Sequence, residues 1–422
     1  MERYSLRRIG LEEIPAPSLR MADPEAEKIA YEAIRALQTG GEAELRNRAE
    51  ALDGLRPGSP LLIDRRGLEA ARARIDGGKR LLLERVAKRI SSFARAQRAS
   101  LADLDIAIQG GRAGHRFLPV ARAGCYVPGG RYPLPSSALM TVCAARAAGV
   151  AEVWCAGPRP TDLTLAASCI AGADGFLAAG GAHAIAALAF GVSVPACDVV
   201  AGPGGRYVAA AKRLLYGTVG TDAPAGPSEL LVIAESGESP DIIAADLLAQ
   251  AEHDPAAVPA LIVFDEDTAR RAEKAVAERL AVLPEPNRTT AASALVNGWI
   301  LVAENFGTAC AAANRFAPEH LEILAADPGR YERGCTSAGA VFLRIGTAEV
   351  LGDYGAGPNH CLPTGGASRF AAGLSVLTFL RARTWLKVDD PGKLASDSAE
   401  FARMEGLEGH ARAADLRAKT AL

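Results

Sequence analysis

The sequence predicts an α/β protein of two parallel-sheet units followed by a helical C-terminal tail. Three observations carry that prediction. Short apolar runs end in glycine-rich turns and alternate with helix-like segments about every two dozen residues, as βαβ units do. Roughly the first hundred residues place apolar side chains at helical spacing. From Leu374 onward the chain is charged and again reads as helical.

Taken in order, Asp23-Pro24 offers an N-cap and a first-turn proline, and Gly40-Gly41 stops the helix that follows. Residues 65–98 carry Leu81, Leu82, Val86, Ile90 and Phe93 along a further helical pattern. Near Leu118 the pattern changes. The run 123–127 leads through Pro128-Gly129-Gly130 to a helix over 136–148, and the run 150–156 precedes a helix over 163–171. The run 175–179 ends at Gly180-Gly181 before a helix reaching Phe190, and 197–201 ends at Gly202-Pro203-Gly204-Gly205 before a helix over 206–216. Further strands are expected at 229–234, 261–264, 300–303, 321–324 and 340–343, with a helix over 241–253 and others between. Pro391 breaks the tail.

Composition narrows the class. The chain has 422 residues, 49% hydrophobic and 23% charged, enough for a sizeable core and for two to four domains of about 100–200 residues each. A net charge of −2 with scattered Lys and Arg argues against nucleic acid and anionic membrane as partners. The first eight residues hold no apolar signal segment, and the apolar stretch 169–197 is interrupted by Asp174 and His183, so it reads as buried helix and strand. Eight cysteines without a C-x-x-C pair point to free thiols in a reducing compartment. The expectation is a soluble cytoplasmic protein.

Chemistry concentrates where the histidines fall. Only six occur, and four sit in the second half near a carboxylate or amide: His253 after Gln250, His320 after Glu319, His360 after Asp353, and His410 after Glu405. Gln250 and His253 are three apart, so on a helix they share a face and can offer two ligands to one ion. Zinc takes imidazole and carboxylate ligands from scattered segments. Each position also has a plainer reading: a capping or core histidine, a turn aspartate at Asp353 between glycines, a helix-end pair at Glu319-His320. Their joint occurrence favours the site. Gly202-Pro203-Gly204-Gly205 could turn backbone N–H groups toward a phosphate, or could be a tight turn needing positive φ; it is not G-x-G-x-x-G.

Several longer words are distinctive: AGCYVPGG (123–130), AGPSE (225–229), AADLLAQAEHD (244–254), APEHLE (317–322), GDYGAGPNHCLPT (352–364), GLSV (373–376) and EGL (405–407). In content and order, from about residue 20 to the C-terminus, the chain resembles the histidinol dehydrogenase family. That resemblance implies oxidation of L-histidinol through histidinal to L-histidine with two NAD and one zinc. It implies zinc held by Gln250, His253 and Asp353 of one subunit and by the tail's His410 from the other. Substrate would meet Gln250, His253 and Asp353 as well as Ser228, Glu319, His320, His360, Glu405 and His410. Glu319 and His320 would be the catalytic bases, and Tyr126, His183 and Gly205 would face NAD. It also implies a domain-swapped homodimer and an insertion. The expected partition is an arm over 1–19, a main unit over 20–117 and 231–373, an inserted coenzyme-side unit over 118–230, and a swapped tail over 374–422.

Two positions depart from the family wording. His183 stands where GGAQA has Gln, and Gly205 where GPGN has Asn; both lie on the coenzyme side. Gly130-Arg131-Tyr132, Thr384-Trp385 and the 408–415 segment resemble the sulfopropanediol 3-dehydrogenase branch, which would make the substrate another small polar alcohol. A catalytically impaired relative, or a metal-free binder of phosphorylated ligands, are further readings.

Overall fold

The computed structural model describes residues 6–15, 23–129, 133–223 and 226–419. Two six-stranded sheets dominate. The first runs in the order Arg7–Arg8, Trp299–Val302, Val258–Val263, Glu229–Ala234, His320–Leu324, Ala340–Leu343, every pair parallel. Its central strand Glu229–Ala234 is buried at all six positions. Leu230 and Val232 face one apolar core while Leu231 and Ile233 face the other. A strand covered on both faces reads as an unbroken apolar run, and that is how the sequence betrays it.

The second sheet has the order Leu62–Asp64, Gly175–Leu177, Glu152–Ala156, Arg122–Tyr126, Val199–Ala201, Gly220–Thr221, parallel except for its first pair. The long helix Pro24–Leu52 begins on Asp23, whose carboxylate accepts from the Ala26 N–H at 3.0 Å. Gly41, at φ 54, kinks this helix without ending it. Its buried face, with Ala30, Leu37 and Leu45, packs in one core of the second sheet. Arg65–Arg74 and Gly77–Ala99 pack in the other through Leu68, Ala71, Leu83 and Ile90. The helices of 24–99 thus share their cores with the 122–201 strands, whereas the expected partition grouped 20–117 with 231–373. Helical periodicity tells which face is apolar but not which sheet it will cover.

A third sheet was not expected. Leu104–Ile108 and Gly111–Pro119 form a hairpin, and Leu380–Val388 pairs with its second strand antiparallel along nine residues. The tail is therefore strand first and helix afterwards. Gly392–Met404 and Glu408–Ala418 fold into a helical hairpin tied by Arg403 to Asp415 at 2.6 Å and to Glu408 at 3.2 Å. Phe401, Met404 and Leu416 stay exposed on it. Among the described residues no helix is long and apolar enough to cross a membrane, and all eight cysteines are free.

Candidate active site

The site grows from the amino-terminal edge of the first sheet. Helix Phe306–Phe316 ends at Ala317, buried and held at φ 49, and Pro318 then turns the chain into the strand that starts at His320. A side-chain-bearing residue with positive φ is strained unless its surroundings fix it, and such strain gathers at functional sites. Glu319 and His320 are both buried. His320 Nδ1 lies 3.1 Å from the Glu229 carbonyl. A carbonyl only accepts, so Nδ1 carries the proton and Nε2 presents its lone pair. Burial pushes the imidazole down to about 3, so it stays neutral.

Carboxyl groups crowd around this ring. Glu319 Oε2 accepts from the Glu229 N–H at 3.1 Å, and burial, with Glu229 and Asp353 nearby, raises its carboxyl well above the usual range while a Ser228 hydrogen bond opposes the shift. Glu349 Oε1 is 3.6 Å from His320 Nδ1, and Asp353 Oδ1 is 3.8 Å from Nε2. Glu349 and Asp353 open and close one short helix, Glu349–Asp353. Burial raises Asp353 to about 6. The His253 imidazole reaches within 3.9 Å of Asp353 Oδ2 and is 40% exposed, the open flank of the cluster. His360 Nδ1 donates to the Asp353 carbonyl at 3.1 Å, and burial lowers its imidazole to about 4. The loop that carries it is moored to the second sheet's layer: Asn359 donates to the Met140 carbonyl at 2.8 Å, and Arg89 donates to the Gly355 carbonyl at 2.7 Å. The site therefore sits where the two sheets' layers meet.

The donor set suits zinc. His253, Glu349 and Asp353 offer one ligand atom each, all within 4.8 Å of one another. Gln250 closes the helix Pro240–Ala251, which packs against the Glu349–Asp353 helix. It is fully buried, and neither its amide oxygen nor its nitrogen has a partner among the described residues. A buried amide left unpaired costs ~1–3 kcal/mol, so such a group implies a missing partner. The expected helix over 241–253 ends at Ala251, and His253 follows in the turn, its N–H on the Gln250 carbonyl at 3.3 Å. Proximity survives; the shared helical face does not.

Below the cluster lie two carboxylates that the sequence reading passed over. Glu322 is two residues along the strand from His320 and so points to the same face. Burial and the adjacent Asp246 push it up to about 9. That i, i+2 spacing was the available signal. For Glu349 it was the i, i+4 spacing to Asp353.

The residues expected to face NAD gather elsewhere, at the carboxyl ends of the second sheet's strands, where open α/β sheets bind ligands. The Tyr126 hydroxyl accepts from the Gly181 N–H at 3.1 Å, and burial pushes the phenol to about 12. His183 Nε2 pairs with Asp53 Oδ2 at 3.2 Å, and the same oxygen accepts from the Gly180 N–H at 2.7 Å. Asp53 caps the end of the long first helix, a partner 130 residues from His183 that spacing could not disclose. The Gly202 N–H is taken by Asp222 Oδ2 at 2.7 Å, and Lys212 braces the turn through the Gly202 carbonyl at 3.0 Å and an ion pair with Asp222. The first amide of that glycine turn is thus already used. Gly202 has φ 124, and a Cβ there would lie 2.3 Å from the Tyr126 carbonyl, which is the tight-turn reason for glycine. Gly205, by contrast, faces open space at the start of helix Arg206–Leu215, which has no side-chain cap.

Glu405 and His410 are not in the cluster. Both lie exposed on the tail's helical hairpin. Arg131 and its neighbours 130 and 132 fall outside the described residues.

Comparison with known proteins identifies the family of the chain. The family model for histidinol dehydrogenase matches residues 18–418. A histidinol dehydrogenase of Thermus thermophilus is 42% identical over 399 residues, covering 94% of this chain and 95% of the relative. One from Pseudomonas aeruginosa is 39% identical over 406 residues, covering 94% and 92%. The crystal structure of histidinol dehydrogenase from Elizabethkingia anophelis superposes with a TM-score of 0.90 at 28% identity, covering 99% of each chain. With the model match spanning nearly its whole length, the chain belongs to the histidinol dehydrogenase family and is an oxidoreductase.

Proposed function

We propose that this enzyme oxidises L-histidinol through histidinal to L-histidine, the closing steps of histidine biosynthesis, with two NAD per turnover and one zinc per subunit. The observation that carries the reading is a neutral, buried His320 beside a buried Glu319, next to an incomplete nitrogen and oxygen ligand set, in a chain of this family.

An alcohol gives up hydride readily only once its O–H proton leaves. His320, with Nδ1–H anchored on the Glu229 carbonyl, aims Nε2 as the acceptor for that proton. The second oxidation needs water added to the aldehyde, and Glu319 is the group placed to take a proton from that water. Ser228 and His360 would orient the substrate's polar groups. Gln250, His253 and Asp353 would hold zinc and meet the substrate, completed by His410 of the partner subunit, with Glu405 of the partner subunit closing the pocket. When bound, zinc orients the alcohol oxygen and polarises it. Tyr126, His183 and Gly205 would line the side that takes NAD, which accepts the hydride.

A hairpin with its own internal ion pairs and outward apolar residues supports a tail that reaches a second copy, giving a homodimer with shared sites in the cytoplasm. The 118–230 segment forms the coenzyme side. The testing measurement is NADH produced by zinc-loaded protein. Two NADH per L-histidinol is expected. No turnover of L-histidinol, with turnover of sulfopropanediol or another small diol, would overturn the substrate.

A further inference from the structure

We propose that Glu349 is a direct ligand of the metal ion, so that Gln250, His253, Asp353 and Glu349 form a four-donor cage within one chain and the ion is loaded before the partner's tail arrives. The inference rests on the zinc reading above and adds to it a residue and an order of events.

Geometry is the first support. The ligand atoms of His253, Glu349 and Asp353 all fall within 4.8 Å of one another, close enough to surround one ion after small rotations. Zinc bonds of about 2.0–2.2 Å to nitrogen and oxygen place neighbouring ligands of one ion some 3–4 Å apart, in a shell that can widen to admit further donors. Glu349 and Asp353 sit four apart on one short helix, so both carboxylates project from the same side. Gln250, fully buried with an unpartnered amide, is a fourth donor on the neighbouring helix.

Charge is the second support. Glu349 is almost wholly buried, and its Oε2 has no hydrogen-bond partner among the described residues. Its other oxygen is 3.6 Å from His320 Nδ1, too far for a hydrogen bond, and that nitrogen's proton already belongs to the Glu229 carbonyl. Four further carboxyl groups, Asp246, Glu319, Glu322 and Asp353, press on it electrostatically. A pocket of five acidic side chains calls for protons or a cation. A divalent ion between Glu349 and Asp353 would neutralise the pair where the His253 imidazole also comes within reach. His253, the exposed member, marks the side from which a donor of the partner subunit could later approach.

The test is zinc affinity and the visible spectrum of the cobalt-substituted protein, read without reference to turnover. The apoprotein is titrated against a chromophoric chelator as the full chain and as three variants: Glu349→Gln, His410→Ala and the two combined. His410→Ala is expected to keep one metal per chain. Glu349→Gln should weaken binding by more than the roughly 10–100-fold that loss of an outer-shell partner costs, and shift the cobalt bands. The double variant should not hold stoichiometric metal. Glu349→Asp, which keeps the carboxylate, should recover part of the affinity, separating ligation from a folding defect. If Glu349→Gln matches its parent in affinity and spectrum, with and without His410, Glu349 is no ligand. If the unsubstituted protein takes up neither zinc nor cobalt, the zinc reading itself fails.

Discussion

The two functional edges of this enzyme treat their polar groups in opposite ways. Around His320 the polar groups are left open: the Gln250 amide, His320 Nε2 and Glu349 Oε2 are buried without partners. At the second sheet's carboxyl edge they are closed: the N–H groups of Gly180, Gly181 and Gly202 go to Asp53, Tyr126 and Asp222, and His183 is tied to Asp53. An open set stores unfavourable energy until a ligand satisfies it, which suits a resident ion and tight orientation of a reacting group. A closed set is rigid without ligand, which suits a coenzyme that, in the proposed reaction, would come and go twice in one turnover.

The largest expected effect breaks the open side. His320→Asn removes the proposed proton acceptor but none of the proposed metal donors, so kcat should fall by roughly 10²–10⁴-fold with metal content unchanged. Full activity in that variant would sink the assignment.

The comparison is sharpened by a pair of substitutions measured on the apoprotein. Gln250→Met replaces an unpaired buried amide with an apolar side chain of similar size. It should raise unfolding free energy by about 1 kcal/mol while abolishing tight metal binding. Asp53→Ala deprives the Gly180 N–H and His183 of their acceptor and should cost about 1–3 kcal/mol. Denaturant unfolding of both would show the opposite signs, or show that the contrast is false.

A smaller effect concerns pH. Glu322 titrates higher in the fold, at about 9, than its ordinary 4.5. Its folded form therefore prefers the proton, and the stability it allows is complete below 4.5 and lost as pH rises toward 9. His320 and His360, lowered to about 3 and 4, act the other way, costing stability only below their ordinary 6.5. Above pH 6.5 the histidine effect is spent and the raised carboxyls, Glu322 with Glu319 and Glu349, act together, so Glu322 accounts for part of the slope. The melting temperature of the apoprotein should drop by several degrees between pH 6.5 and 8.5, and Glu322→Gln should flatten that slope. An unchanged slope would place the titration elsewhere.

The smallest effect belongs to the closed side. His183→Gln restores the family's usual residue, and glutamine can still donate to Asp53. Its KM for NAD should move by no more than about two- to ten-fold, the size of one hydrogen bond, with kcat unchanged. A collapse of kcat would mean that His183 does more than line the corner.

What the sequence disclosed follows from burial. The 229–234 and 320–324 strands are covered on both faces, so their apolar runs stand out. Leu104–Ile108 is mostly exposed, and Leu380–Val388 intersperses Arg and Lys with apolar residues, so neither resembles a core strand. Glu319, His320, Asp353, Gln250 and His253 could be singled out because scarce histidines lie beside acids and amides in distinctive words. Glu349 and Glu322 offered only a spacing to Asp353 and His320, and Asp246 not even that, because a buried carboxylate and a solvated one are spelled alike. Only the packing that strips water from them makes them chemically unusual.

The C-terminal hairpin carries one more consequence. Tied by Arg403 to Asp415 and Glu408, its two helices pack mainly on each other. If each pocket borrows that unit from a neighbour, damage to the two parts can be traded between chains. Protein lacking His320 and protein lacking His410 would each be inert alone. Unfolded together and reassembled at equal amounts, they would regain about a quarter of the normal activity, because half the pairs are hybrids and each hybrid rebuilds one intact pocket.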